Sequence, residues 1–396
     1  VSASLAERPS EVLDRVDAEL RALWSTPPPA DDGRAPTGDP ARSPSKTRVR
    51  ACTMNLVVVA ATPALAEQWV VVVDRVLLGI PARAIVVGLD PAGADALEAQ
   101  TSAVCVPGES GGPQVCSERV TLVVRGAAAA RLYSCVTALC AADVPTTLVW
   151  VGSVSAGSPA FEALARDASR IVLDGAQGSL ESLASVVRWG RSQPEGGFAP
   201  GVGVADLAWT RLAPWQEMCA RMFDEPRLRP LAACVTRVQL VQASAAGATL
   251  AAEGLLLLGW LATRLEWKAA PRSTPQTWLR RDGGNLEVVL SANASPTEAQ
   301  SSLRAVHIEA SADGMTLRGQ ILRDARENDA ATWRLEVTAE GGETQRMEQH
   351  VRLRAMDKAA LLERTLHRPI RDLALEEAVR WAGEVPRLLV HGPPRE

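Results

Sequence analysis

Histidine is scarce and late in this chain. The 396 residues hold four His, all at or beyond His307, so the first three quarters lack the commonest general base and metal ligand. No Cys-x-x-Cys and no His-x-x-x-His spacing occurs, so a metal site built on clustered ligands is not expected. No Gly-x-x-x-x-Gly-Lys-Ser/Thr occurs either, which removes a P-loop. No apolar run approaches the ~18 residues that a membrane span needs. The longest, around 56–61 and 255–258, are core-sized. Charge of one sign is also missing: 42 Lys and Arg against 46 Asp and Glu leave a net charge of −4. That gives no global basic field for nucleic acid or anionic lipid. Seven Cys make no secreted disulfide framework, and the odd count fits free thiols in a reducing cytoplasm. Glu7, Arg8, Glu11 and Asp14 stand where a signal peptide would be apolar, so a cytoplasmic location is expected.

What is present is ordinary globular composition, 47% hydrophobic and 22% charged, in a length that suggests two or three domains. Residues 1–24 read as a helical arm, with Leu5, Val12, Leu13, Val16, Leu20 and Leu23 at helical spacing. Residues 25–47 read as a linker, since the 22 residues from Ser25 to Lys46 contain six Pro and two Gly. The arm is then tethered, either a loose terminus or a docking helix. From 48 to 192 short apolar strands (52–60, 82–89, 119–125, 146–151, 170–173) alternate with helices (63–78, 127–141, 159–168, 179–190). Strands apolar on both faces, alternating with helices, predict an α/β domain with a mostly parallel sheet and flanking helices.

A Gly/Pro break at 193–203 separates this from an α+β domain over 204–396. A helix over 206–223 is expected to bend or restart near Pro214. A strand at 234–242 and an apolar helix at 250–267 follow. Then Asp282-Gly-Gly-Asn285, Ser311-Ala-Asp-Gly314 and Ala339-Glu-Gly-Gly342 punctuate alternating strands, which predicts an antiparallel hairpin meander. Helices over 356–366 and 371–382 close the chain.

Candidate chemistry fails on context. Gly108-Glu-Ser-Gly-Gly-Pro113 matches a Gly-x-Ser-x-Gly elbow, but no His precedes Ser110, and a strand rather than a helix follows it. It reads as a Gly-rich turn. Gly201-Val-Gly203 has Asp206 at the third glycine position and follows no strand, so it is a poor dinucleotide fingerprint. Thr62 reads as a helix cap, and His307 as a residue on the polar face of a strand. Cys105 and Cys116 flank the Gly-rich loop and are the one pair that a loop could join as a disulfide or redox switch; two free thiols are expected. Cys135 and Cys140 lie on different faces of one helix. Trp209, Trp215, Trp260 and Trp267 are expected to fill an interhelix core, the alternative being exposed anchors for a partner with Arg211 and Arg264 among them.

The string Asp206-Leu-Ala-Trp-Thr-Arg-Leu-Ala-Pro-Trp215 resembles the signature of the glucose-6-phosphate dehydrogenase assembly protein family, OpcA. In the same order, Met54-Asn-Leu-Val-Val-Val59 and Pro81-Ala-Arg-Ala-Ile-Val-Val87 are similar to its first two strands. Ser169-Arg-Ile-Val-Leu-Asp174 and Leu258-Gly-Trp-Leu-Ala262 are similar to the strand before the signature and the helix after it. The resemblance implies a non-catalytic assembly factor or allosteric activator of glucose-6-phosphate dehydrogenase, without catalytic residues, metal or cofactor of its own. It makes Asp206, Trp209, Thr210, Arg211 and Trp215 the candidate partner-binding residues, with Asp206 doubling as a helix cap. The readings from a different class are a small-molecule-binding or hydrolytic α/β enzyme, which would need a deep polar pocket near Ser110 or Thr62, and a general scaffold.

Overall fold

The computed structural model describes residues 9–25, 48–107, 113–154, 156–176, 179–192, 201–244, 251–269, 277–294, 303–324, 329–353 and 356–383. The Ser110 turn, most of the Pro-rich linker and residues 5–8 of the arm lie outside them. The chain divides into two compact units. The first holds Val1–Gln177, Trp189–Ala205 and Lys358–Arg371; the second holds Gly178–Arg188, Asp206–Asp357 and Asp372–Glu396. Each unit is therefore discontinuous, unlike the simple partition expected at residues 192–204.

The first unit opens with α1 (Pro9–Ser25) and β1 (Arg48–Arg50), followed by β2 (Asn55–Ala60), α2 (Pro63–Leu77) and β3 (Arg83–Asp90). A hairpin of β4 (Ala96–Val106) and β5 (Gln114–Arg125) leads to α3 (Leu132–Leu139), β6 (Thr146–Val151), α4 (Pro159–Arg166) and β7 (Arg170–Leu173). Next come α5 (Leu180–Ser192), which crosses the unit boundary, and β8 (Gly203–Asp206). The sheet runs β1-β5-β3-β2-β6-β7-β8, with β4 paired on β5. The pairings of β2, β3, β5, β6 and β7 are parallel, and β4 is antiparallel to β5. Every residue of β2 is buried, because helices take away both faces of the sheet. Thr62 caps α2, its Oγ1 accepting from Leu65 N at 3.2 Å, with Pro63 in the first turn where no N–H is missed.

Two elements depart from the sequence expectation, and one open alternative is decided. The segment 96–106, unassigned in sequence, is β4. The arm is docked rather than loose: Val12, Val16 and Leu20 are buried, α1 packs on β4, and Thr101 Oγ1 donates to Glu19 Oε2 at 2.8 Å. The helix expected over 127–141 begins as a 3-10 turn, Gly126–Arg131, and becomes α-helical only at Leu132.

The long middle segment of the second unit, from Asp206, starts with α6 (Leu207–Arg211) and α7 (Ala213–Arg221), the predicted interruption, with Pro214 in the first turn of α7. It continues with β9 (Val235–Ser244), α8 (Ala252–Arg264), β10 (Lys268–Ala269), β11 (Thr277–Leu279) and β12 (Asn285–Ala294). Then come β13 (Leu303–Ala312), β14 (Met315–Arg323), β15 (Ala330–Thr338), β16 (Thr344–Arg352) and α10 (Leu373–Ala382). The sheet order is β10-β11-β12-β9-β13-β14-β15-β16. The hairpins form where expected; Asp313 and Gly314 both take left-handed φ, of 49° and 70°, as a two-residue tip requires. The meander is not a simple one, because β9 is inserted between β12 and β13 and runs parallel to β12. One face of this sheet, with Val238, Leu240, Val306, Ile308, Leu317, Ile321, Trp333 and Leu335, is buried. Helix α7 packs there: Trp333 Nε1 donates to Met218 O at 3.0 Å, and Gly319 leaves room for the Met222 sulfur.

Candidate functional site

The signature segment runs from the last strand of the first sheet through α6 and α7. Asp206 is fully buried and caps α6, its Oδ1 accepting from Trp209 N at 2.9 Å. Thr210 Oγ1 donates to Asp206 O at 3.2 Å. Trp209 Nε1 donates to Asp372 Oδ2 at 2.8 Å, while Asp372 Oδ1 caps α10 by accepting from Leu375 N at 3.0 Å. Arg211 Nη1 pairs with Glu253 Oε1 at 2.7 Å; the two side chains are 14% and 2% exposed. Glu253 lies in the first turn of α8, where free N–H groups also favour a carboxylate. Trp215 is buried, and the Arg323 guanidinium sits 5.7 Å from its ring centroid. Burial lowers the Arg323 pKa, Arg304 and Arg211 lower it further, and Glu253 opposes them.

All five candidate residues are thus brought together, and they face inward. Asp206, Trp209, Thr210 and Trp215 are each no more than 3% exposed. Their polar atoms cap α6, tie it to the start of α10, and clamp it to α8. Trp267 is buried as well and Trp260 is half-buried, in line with the core reading of this Trp group. Sequence reasoning missed the partners Glu253 and Asp372. The signal for Glu253 was a lone carboxylate at the head of an otherwise apolar helix, which is buried only when paired.

The other family-like stretches do similar work within their own units. Arg83 reaches Glu118 at 2.7 Å and donates to Leu139 O at 3.1 Å. Glu118, 2% exposed, also takes Arg50 at 3.0 Å and Trp24 Nε1 of α1 at 2.6 Å. Arg170 is buried, and burial lowers its pKa. It holds the end of α9 (Lys358–Leu366), donating to Thr365 O, Leu366 O and Arg368 O at 2.9, 3.0 and 2.6 Å. Gly259, inside the Leu258-Gly-Trp stretch, lets α8 approach the Ala378 carbonyl of α10.

The remaining motifs resolve plainly. Cys105 and Cys116 are opposed in the β4–β5 ladder and form a disulfide, with Cα atoms 4.0 Å apart. This corrects the expectation of two free thiols; antiparallel register, invisible in spacing, sets them face to face. Gly203 meets the Ile370 backbone where a side chain would clash, so it serves close packing. His307 is half-buried on a strand, and burial lowers its pKa. Burial raises the pKa of Cys135 and Cys140, and carries Cys219 up to about 12. Among the described residues no group of three or more His, Cys, Asp and Glu is placed to hold a metal ion, and no helix is long and apolar enough to cross a membrane. A cavity of about 200 Å³ opens at Asn55 and Thr146, the first residues of β2 and β6, with Asp167 and Cys140 at its edge. That is the N-terminal end of the parallel strands, whereas open α/β sheets place ligands beyond the C-terminal ends.

Two family profiles match this chain. Residues 74–188 match the one described as the N-terminal domain of a glucose-6-phosphate dehydrogenase subunit, and residues 202–379 match the one described as the corresponding C-terminal domain. The chain belongs to the OpcA family. Among curated proteins, the putative OxPP cycle protein OpcA of Nostoc punctiforme is 30% identical over 198 residues, which is 50% of this chain and 40% of the relative. That of Synechocystis is 29% identical over 204 residues, 50% of this chain and 39% of the relative. The chain spans about two fifths of the length of the curated relatives it matches. Among solved structures, a levoglucosan dehydrogenase in complex with NADH and L-sorbose aligns with a TM-score of 0.42 at 8% identity, covering 85% of this chain and 96% of that one.

Proposed function

We propose that this chain is a non-catalytic, cytoplasmic assembly factor and allosteric activator of glucose-6-phosphate dehydrogenase, working without a cofactor of its own. The observation that carries the reading is the match to the two family profiles named for that enzyme, one over each half of the chain. The geometry supports it in a second way. The residues that carry the family likeness are used to cap, clamp and closely pack the chain's own helices. In this reading Asp206, Trp209, Thr210, Arg211 and Trp215 serve the partner indirectly, by fixing α6, α8 and α10 so that their outer surface keeps one shape.

An activator of this kind shifts its enzyme only by binding the active oligomer more tightly than the inactive form. A tenfold shift in that equilibrium needs about 1.4 kcal/mol of differential affinity. The test is a titration of this protein into purified glucose-6-phosphate dehydrogenase, with activity and particle mass read together. Saturable activation with a change in oligomer mass is expected. Turnover of glucose 6-phosphate by this chain alone, or enzyme kinetics and assembly that ignore it, would overturn the proposal.

A further inference from the structure

The second sheet has two unlike faces. The face opposite the α7 side carries six strands whose outward residues lie in register. One cross-strand row reads Glu287, Arg237, Glu309, Arg318, Glu336, Arg346 along β12, β9, β13, β14, β15 and β16. Its charges alternate without interruption. Within the row, Arg237 pairs with Glu287 at 3.6 Å and Arg346 with Glu336 at 2.9 Å, and these four side chains are 42–75% exposed. Arg318 is exposed and Glu309 half-buried. The next row is Val289, Gln239, His307, Gln320, Arg334, Glu348, mostly neutral hydrogen-bonding groups at its centre. The third is Ser291, Val241, Ala305, Leu322, Thr332, His350, small or apolar at its centre.

An alternating row over an even number of strands has a particular symmetry. Rotation by half a turn about a line lying along the strands, midway between β13 and β14, exchanges the first strand with the sixth, the second with the fifth and the third with the fourth. Every carboxylate then meets a guanidinium: Glu309 faces Arg318 of the second copy, Arg237 faces Glu336, and Glu287 faces Arg346. An axis through a strand, or one running across the strands, sets like charges opposite each other along the whole row. The same rotation brings His307 onto Gln320, and Ala305 onto Leu322. We propose that this open face is where two copies of the chain meet, sheet on sheet, about that two-fold axis.

The size fits. Six strands at ~4.8 Å spacing and nine or ten residues at ~3.4 Å each make a face of roughly 900 Å², or about 1,800 Å² counted over both copies. Stable specific interfaces start near ~1,200 Å². Packed sheets cross at about −30°, so the rows diverge toward their ends and the central Glu309–Arg318 contacts of the two copies are the closest. A C2 interface is self-complementary, and alternation of charge is what specifies its register here.

The experiment uses the charge code itself. Sedimentation equilibrium of the unaltered protein in ~0.1 M salt is expected to give twice the chain mass, with dissociation promoted at ~1 M, where the screening length falls from ~10 Å to ~3 Å. Glu309→Arg and Arg318→Glu each set two like-charge contacts at the axis, and each is expected to weaken the dimer by at least ~10-fold. Mixing the two variants restores every opposite-charge contact, so an equimolar mixture is expected to return to dimer mass even though neither variant does so alone. That recovery also shows that both variants are folded. A monomeric unaltered protein at ~100 µM, far above the Kd of ordinary specific dimers, overturns the proposal, as do variants that dimerise unchanged or fail to recover on mixing. If the two variants lose glucose-6-phosphate dehydrogenase binding while the unaltered chain is monomeric, the face belongs to the enzyme and not to a second copy. The dimer prediction stands apart from the proposed activity, since it is read without the enzyme.

Discussion

Removing the Arg211 guanidinium tests whether the signature is structural. In Arg211→Ala the Glu253 carboxylate, 2% exposed, loses a partner at 2.7 Å. Breaking a buried pair from one side costs about 3–5 kcal/mol, because the remaining charge stays desolvated. Arg211 is 14% exposed, and Arg323 is close enough to feel Glu253, so water and a second cation recover part of this. We expect a loss of about 2–3 kcal/mol, which lowers the folding equilibrium constant roughly 30- to 150-fold. The double variant Arg211→Met/Glu253→Leu removes both charges and is expected to regain most of it, since apolar replacement of a buried pair is often neutral. Urea titrations followed by Trp fluorescence, run as a double-mutant cycle, give the coupling energy. The second unit holds the substitution, so hydrogen exchange should show the loss there. A cost below about 0.5 kcal/mol, with dehydrogenase activation abolished, would refute the structural account and make Arg211 a contact residue.

Four further outcomes are expected. Gly259→Ala pushes a methyl into the Ala378 carbonyl of α10 and should cost about 1–3 kcal/mol in urea titration, through overpacking of backbone that has little room to move. Arg170→Met removes three bonds to the end of α9, and should raise amide exchange in 358–371 before it changes exchange in β2. Reducing the Cys105–Cys116 disulfide, with a sequence separation of 11, should lower stability by up to about 3 kcal/mol, read as a lower urea midpoint in dithiothreitol. Cys219 titrates at about 12 in the folded chain against 9.0 for an exposed thiol, because burial disfavours the thiolate. The native state therefore holds this proton more tightly than the unfolded chain. Its contribution is intact below pH 9 and is lost as pH rises toward about 12. Iodoacetamide at pH 8 should label Cys219 only in denaturant.

Much of the architecture was legible because local signals agreed with the fold. The fully buried, Val-rich β2 and the Asp313-Gly314 tip each carry their own instruction, one through burial on both faces and the other through backbone sign. The restart at Pro214 was legible for the same reason. What stayed hidden was set by partners distant in sequence. The strand Ala96–Val106 alternates weakly and becomes a strand through β5. Docking of α1 depends on β4, which was itself unseen. The insertion of β9 beside β12 and β13 is a matter of topology, which periodicity does not encode. In the signature, the Trp core and the Asp206 cap were legible, and the partners of Trp209 and Arg211 were not. A Trp and an Arg with one face each to offer look alike in sequence whether they point outward or, as here, toward Asp372 and Glu253.

The discontinuity of the two units has a consequence for how the molecule is made. Residues Lys358–Arg371 complete the first and Asp372 onward complete the second, so both await the same late stretch of the chain. During synthesis, β7 emerges long before the helix end that Arg170 holds, and Trp209 long before the aspartate that receives its indole proton. A nascent chain halted near residue 350 would carry two unfinished cores, and a nonsense codon there would cripple both halves of the product at once.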